Sequence, residues 1–327
     1  MKEVLTKQIK SVSFTQIEHR LKKPYVLSFD TLHNLVSLQV SIKTTDHSER
    51  IAETVPLPGY SDETVDSIKF FLNSVISKLT DLHLDEARAL IEKSIPACPF
   101  ACSPLLTAID LFDFPAHTPD LNAISFVVPG SSENLPELKS TIQNLEEKSG
   151  GTVKVKLSGD VSKDMPCIRF IESLSLKNIF IRFDANKAFD LQDAFAFYDV
   201  LKSMSYLDRV HYVEQPLPVD DWAGHKQLIS SYPTVKTMLD ESIVTETDLQ
   251  KAIDIKIPYV KFKLFKQGGI KELLHLTKIA HKNGLSVVIG NGVATKLSND
   301  IENQIYRMHS DLFFGASEAN GFLKIGG

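Results

Sequence analysis

From about residue 103 the chain repeats one unit, a short β-rich run followed by a segment of helical period, and this alternation limits the folds open to it more than any other feature. The runs are 123–128 (AISFVV), 152–157 (TVKVKL), 178–184 (NIFIRFD), 210–214 (VHYVE), 235–240 (VKTMLD), 259–264 (YVKFKL) and 286–290 (SVVIG). Segments of helical spacing at 132–148, 190–204, 245–255 and 269–283 lie between them. Strict alternation of this kind implies a parallel sheet, and seven or eight units close most economically into a barrel. An open doubly wound sheet would require a glycine-rich phosphate turn after the first strand. Here that strand runs into Pro129-Gly130-Ser131-Ser132 instead.

The first hundred residues have another character. Residues 25–42 alternate apolar and β-branched positions as strands of an antiparallel sheet do, while 62–79 and 84–93 carry apolar residues at helical spacing, with Asp62 as the expected N-cap. The expected fold class is therefore α/β: a modified (β/α) TIM-like barrel with an N-terminal α+β capping domain. The expected division is a cap at 1–102, a barrel at 103–310 and a C-terminal segment at 311–327 that returns to the cap.

Catalytic groups of barrel enzymes gather at the C-terminal ends of the strands, which open on one face. Five consecutive runs here carry charge at or near that end: Lys154 and Lys156, then Asp184, Glu214 and Asp240, then Lys261 and Lys263. Each lies in apolar sequence, where an unpaired charge is costly. A period of two puts both lysines of each pair on one face, the later nearer the mouth. Three acids from adjacent strands would then converge between two cations. Carboxylates so gathered call for a cation, and oxygen ligands select a hard one, magnesium or in its place manganese. Such an array suits removal of a proton α to a carboxylate, with a lysine of lowered pKa, near 7–8, as base. Taken singly, Asp184 would pass for a strand-end turn, Glu214 and Asp240 for helix caps, and Lys154 and Lys261 for snorkelling lysines. That reading must hold five times in register.

At these positions the sequence resembles the enolase superfamily in its muconate-lactonising branch. The matching motifs are Lys154-Val155-Lys156, Asp184-Ala185-Asn186, Glu214-Gln215-Pro216, Asp240-Glu241-Ser242 and the run from Lys263 to Gly269, each one β-α-β step from the next after Asp184. The loop Pro56–Thr64 (PLPGYSDET) and the run Arg182–Phe189 (RFDANKAF) resemble those of the o-succinylbenzoate synthases within that branch. That resemblance implies a magnesium-dependent hydro-lyase acting by syn-dehydration of a succinylated hydroxycyclohexadiene carboxylate in menaquinone biosynthesis. It implies Asp184, Glu214 and Asp240 as metal ligands, Lys156 as the proton-abstracting base and Lys263 as the cation opposite. Lys154, Arg182, Asn186, Gly290 and Asn291 are the candidate supporting or substrate-binding residues, with Arg182 expected to reach an anionic tail. Gly290-Asn291-Gly292 departs from the serines that relatives often carry there, and is equally readable as a tight turn. Racemases of N-acylamino acids and dipeptide epimerases share the same five positions and form the alternative, followed by a barrel that binds without turnover.

Bulk properties agree with a small-molecule site. The net charge of −5 argues against a nucleic-acid partner, and no stretch approaches the ~18 apolar residues of a membrane span. The start lacks the apolar core of a secretory signal, so the expected compartment is the cytoplasm. Cys98, Cys102 and Cys167 lack the companions a zinc site needs and are expected to be buried thiols. The oligomeric state is left open.

Overall fold

The computed structural model describes residues 7–26, 31–57, 59–114, 126–174 and 176–326. Two sheets organise it. Strands β1 (Ile9–Val26), β2 (Thr31–Thr44) and β3 (Glu49–Thr54) form an antiparallel sheet in that order. Its register pairs Phe14 with Val40 and Val40 with Ala52. Helix α1 (Val65–Leu79) turns Ile68, Leu72, Val75 and Leu79 into the core, a spacing of three and four residues that makes one stripe. Its N-cap is Thr64 and not Asp62: Thr64 and Ser67 cap one another reciprocally, which satisfies two end donors at once. Helices α2 (Leu84–Glu92) and α3 (Pro99–Asp110) complete this part. Helix α3 escaped the sequence reading because every one of its residues is buried, so it shows no amphipathic period. The run 25–42 takes part in antiparallel strands as expected, its first residues in β1 and Thr31 onward in β2, with Tyr25 paired to Leu32; residues 27–30 lie outside the described set.

The second sheet is parallel and follows chain order: β4 (Phe126–Pro129), β5 (Gly151–Lys156), β6 (Ile179–Asp184), β7 (Val210–Glu214), β8 (Thr237–Leu239), β9 (Tyr259–Phe262) and β10 (Ser286–Ile289). Residues 123–125 of the first expected run are outside the described residues. Helices Leu135–Glu147, Val161–Glu172, Leu191–Lys202, Trp222–Ser231, Glu246–Asp254, Ile270–Lys282 and Lys296–Met308 (α4 to α8, α10 and α11) connect and cover the strands, with one short turn, α9 (Leu264–Gln267), directly after β9. An extended segment after α11 donates from Phe314 to Val287 and from Glu318 to Ile289, so 314–318 lies along β10 as an eighth station. The C-terminal residues return to β1, with Leu21 bridging Ile325.

The strands obey a two-faced pattern. Val153, Val155, Ile181, Phe183 and Val213 face outward and pack under the helices. Lys154, Lys156, Arg182, Asp184, Tyr212 and Glu214 alternate with them and face inward. Register fixes the layers: Lys154, Arg182 and Tyr212 stand level, and Lys156, Asp184 and Glu214 stand level above them. The antiparallel sheet and the later barrel strands share one apolar core that includes Leu38, Leu72, Leu105, Phe262 and Phe265. Cys102 and Cys167 are buried and Cys98 partly so, and all three are free thiols.

Gly290 closes β10 with φ +134° while its amide donates to Phe262. A Cβ there would stand 2.2 Å from the Ala319 nitrogen. Gly290→Ala should therefore lower unfolding stability by about 3 kcal/mol, the backbone cost plus displacement of the 317–320 segment. A urea titration checks it, and a loss under about 1 kcal/mol would mean that segment yields freely.

Candidate active site

Asp184, Glu214 and Asp240 stand at or just past the ends of β6, β7 and β8, each about 1% exposed. Backbone geometry turns them to the mouth. Gln215 (φ +36°), next to Glu214, and Asn186 (+45°) and Lys187 (+66°), in the turn after Asp184, occupy the left-handed region, a strained conformation that concentrates at functional sites. The Gln215 side chain then ties the turns together, accepting from the amides of Asp240 (2.9 Å) and Ser242 (3.2 Å) and donating to Ser242 Oγ (2.7 Å).

All three acids line one cavity with Lys154, Lys156, Asn186, Lys261, Lys263, Asn291 and Glu318. They do not meet at one point. Among the described residues no three His, Cys, Asp or Glu side chains are gathered closely enough to hold an ion. Ammonium groups stand between them instead. Lys154 Nζ is 2.8 Å from Asp184, 2.7 Å from Glu214 and 2.8 Å from Glu318. Lys261 Nζ holds both oxygens of Glu214, at 2.7 and 2.8 Å, and also contacts Glu318. Lys156 lies against Asp184 (2.5 Å) and Asn186 Oδ1 (2.7 Å) on one flank. Lys263 lies against Asp240 (2.6 Å) on the other, with three strands between.

These contacts set the electrostatics. Burial alone would raise Asp184, but Lys154 and Lys156 outweigh it and hold the carboxyl below its usual range. Asp240 is lowered likewise by Lys263 and Lys266. Glu214 goes the other way, pushed up to about 7 by burial and then by the charge of Asp184. Burial presses Lys156 down, yet the Asp184 carboxylate beside it wins and raises it. That reverses the expected fall toward 7–8: an ammonium in contact with a buried carboxylate is a poor base until the two are separated.

The donor set nonetheless suits a divalent hard cation. It is made of oxygen only, it is buried, and positive charge already sits between Asp184 and Glu214 at Lys154 Nζ. Glu241, whose carboxyl burial and then Asp240 raise, keeps a buried oxygen without a hydrogen-bond partner beside these acids.

The supporting residues divide. Asn186 and Asn291 line the cavity. Arg182 does not reach the mouth; fully buried one layer below Asp184, it donates to the Ala316 carbonyl (2.9 Å) and Glu318 (3.0 Å). The expectation that it takes an anionic tail is corrected accordingly. The amide of Gly290 is committed to Phe262 and is not a free donor. The sequence reading missed Glu318, Tyr60 and Lys266. Glu318 lies beyond the last recognisable strand, in a segment without alternation. Tyr60, in the loop already noted, donates to Asp240 (3.0 Å), and the Lys263 ammonium stands 4.1 Å from its ring centroid. Lys266, inside the Lys263–Gly269 motif, binds Asp240 Oδ1 at 2.7 Å and is pushed down to about 8 by burial, which outweighs the attraction of Asp240.

Fold and site together define a capped parallel (β/α) barrel with a lysine–carboxylate mouth. Residues 137–315 match the family described as "Enolase C-terminal domain-like", more than half of the chain. The chain belongs to that family, and the enolase-superfamily kinship expected from the motifs holds. It is 23% identical over 284 residues to the L-amino acid-D/L-Glu epimerase of Francisella philomiragia, covering 83% of this chain and 79% of that protein. Among solved structures it superposes with TM-score 0.84 and 18% identity on the dipeptide epimerase of Enterococcus faecalis in complex with magnesium and L-Leu-L-Tyr, over 98% of this chain and 92% of that one. It also superposes with TM-score 0.84 and 19% identity on the N-succinyl Arg/Lys racemase of Bacillus cereus, over 97% and 88%. Other relatives are likewise named for isomerase reactions, among them an L-Ala-D/L-Glu epimerase, a hydrophobic dipeptide epimerase and a chloromuconate cycloisomerase. The expectation of an o-succinylbenzoate synthase, and with it a hydro-lyase of menaquinone biosynthesis, is overturned. The resemblance in the Pro56–Thr64 loop and the Arg182–Phe189 run does not decide reaction type, because one fold hosts several chemistries. Among the described residues no helix is long and apolar enough to cross a membrane.

Proposed function

We propose that the chain is a magnesium-dependent isomerase that inverts the configuration at the α-carbon of an N-acylated amino acid, of which a dipeptide is one kind. The observation that carries this reading is the placement of Lys156 and Lys263 on opposite flanks of one cavity, each against a different strand-end carboxylate. Two bases on opposite faces of a carbon are what proton exchange with inversion requires. The names of the similar proteins support the same class.

In this reading Asp184, Glu214 and Asp240 hold magnesium, or manganese, and 1–102 caps the barrel at 103–310. The ion supplies positive charge against the charge that develops on the substrate carboxylate as the α-proton leaves. Lys156 takes the proton from one face and Lys263 delivers one to the other. Lys154 and Lys261 hold Glu214 in place, Asn186 orients Lys156, and Asn291 lines the wall. Tyr60 and the neighbouring cap loop keep water from the reacting face.

The test is proton NMR in deuterated water with L-Ala-L-Glu and N-succinyl-L-alanine. The expected result is loss of the α-proton signal with inversion, stopped by chelator and restored by magnesium. A protein that exchanges no α-proton in any dipeptide or N-acylamino acid overturns the reading.

A further inference from the structure

Among the described residues, Lys324 stands at the cavity without an ion pair. The last residues form a short turn, Gly321–Lys324, that brings Lys324 to the rim between Gly292 and Asn320. Its ammonium donates to the Gly292 carbonyl at 2.7 Å, lies 3.4 Å from Asn320 Oδ1 and stands 4.8 Å from the centroid of the Tyr25 ring. Gly292, Asn320 and Tyr25 all line the cavity that holds Lys156 and the three acids. Every partner of Lys324 is neutral, and among the described residues it forms no ion pair. Glu318 is the acid nearest in sequence, and Lys154, Lys261 and Arg182 already share it. Burial, then the charges of Lys156 and Lys154, press the Lys324 ammonium down to about 7 and outweigh the attraction of Glu318. A half-buried cation beside other cations is a standing cost that an incoming anion offsets.

We propose that Lys324 is a specificity-determining residue that binds a second carboxylate of the substrate, remote from the one at the acids. The proposal rests on the isomerase reading and names its substrate class: N-acylamino acids carrying two negative charges. The second charge sits either on the acyl tail or on the amino-acid side chain. A free ammonium at that end meets Lys324 and Lys156 and is disfavoured. Arg182, the residue the sequence offered for this task, is sealed in the layer below. Lys324 takes its place because the turn Gly321–Lys324 is held at the rim by Gly292.

The test compares N-succinyl-L-alanine, N-acetyl-L-glutamate, N-acetyl-L-alanine and L-Ala-L-Ala with the magnesium-loaded wild type and with Lys324→Gln and Lys324→Arg. In the wild type one of the two dianions should exceed N-acetyl-L-alanine in kcat/KM by roughly tenfold to a hundredfold, the scale of one charge-assisted hydrogen bond. Which dianion wins identifies the end that Lys324 binds. Gln keeps a donor for Gly292 without the charge, so the ratio should fall to about one, and Arg should largely preserve it. Equal kcat/KM for dianions and N-acetyl-L-alanine in the wild type, or a ratio unchanged by Lys324→Gln, overturns the proposal. Calorimetric binding of the same four compounds separates this from failure of the isomerase reading. If nothing turns over but the dianion still binds more tightly through Lys324, the reaction assignment fails and the site stands. If binding shows no preference, the site fails.

Discussion

Replacing Lys156 by Ala should abolish inversion, with a loss on the order of 10³-fold or more, while the protein stays folded. The size follows from removing a positioned base, which alone is worth about 10²–10⁴-fold. The fold survives because Asp184 keeps a second cation, Lys154 at 2.8 Å, so no buried carboxylate is left bare. The loss has a stereochemical signature. With Lys263 intact on the opposite flank, one enantiomer still presents its α-proton to a lysine and exchanges it with deuterium without inverting. The other enantiomer is inert. Lys263→Ala should give the mirror result. Exchange rates for both enantiomers, measured alongside the thermal midpoint, check this. Inversion within tenfold of wild type would remove Lys156 from the reaction, and equal loss of exchange for both enantiomers would deny that the two lysines serve separate faces.

The strand ends were legible because a barrel interior makes an unusual demand. A side chain that alternates with Val153, Val155 or Phe183 must face inward, so a charged residue there announces a polar centre, and Lys154, Lys156, Asp184 and Glu214 could be placed by parity alone. What parity does not give is depth. Arg182 and Asp184 share a face, and only the register with Tyr212 and Glu214 shows that the arginine lies one layer down. Glu318 was illegible for a related reason: it enters the interior from an irregular segment held to β10 by single backbone bonds, with no period to betray it. The charge state of Lys156 was misjudged because its neighbour matters more than its burial, and neighbours across strands are set by register. Reaction type was the least legible. Epimerase and lyase readings share all five strand-end positions, so discrimination falls to the rim, where Lys324 and Asn320 arrive from the far end of the chain.

Glu318→Gln should be the most destabilising of the substitutions considered, at roughly 3–5 kcal/mol. Glu318 is 3% exposed and joins Lys154, Arg182 and Lys261, with the Tyr212 hydroxyl donating to it at 2.8 Å. Burial raises its pKa, but the three cations outweigh that and hold it well below the usual carboxylate range. Glutamine keeps the shape and an acceptor while removing the charge that the three cations share. Glu214 and Asp184 then neutralise Lys154 and Lys261, but Arg182 is left with neutral partners in a sealed layer, where an unpaired guanidinium cannot shed its proton. The cost should fall on the second half of the barrel, because the 314–318 segment is fixed to β10 through the same residue. Urea denaturation measures it, with Arg182→Met as the companion: in the double variant the unpaired charge is gone, so its loss should be well below the sum of the single losses. Additive losses, or a single loss under about 1 kcal/mol, would show that water reaches this layer and that the ammonium and guanidinium groups beneath the mouth are not held by Glu318.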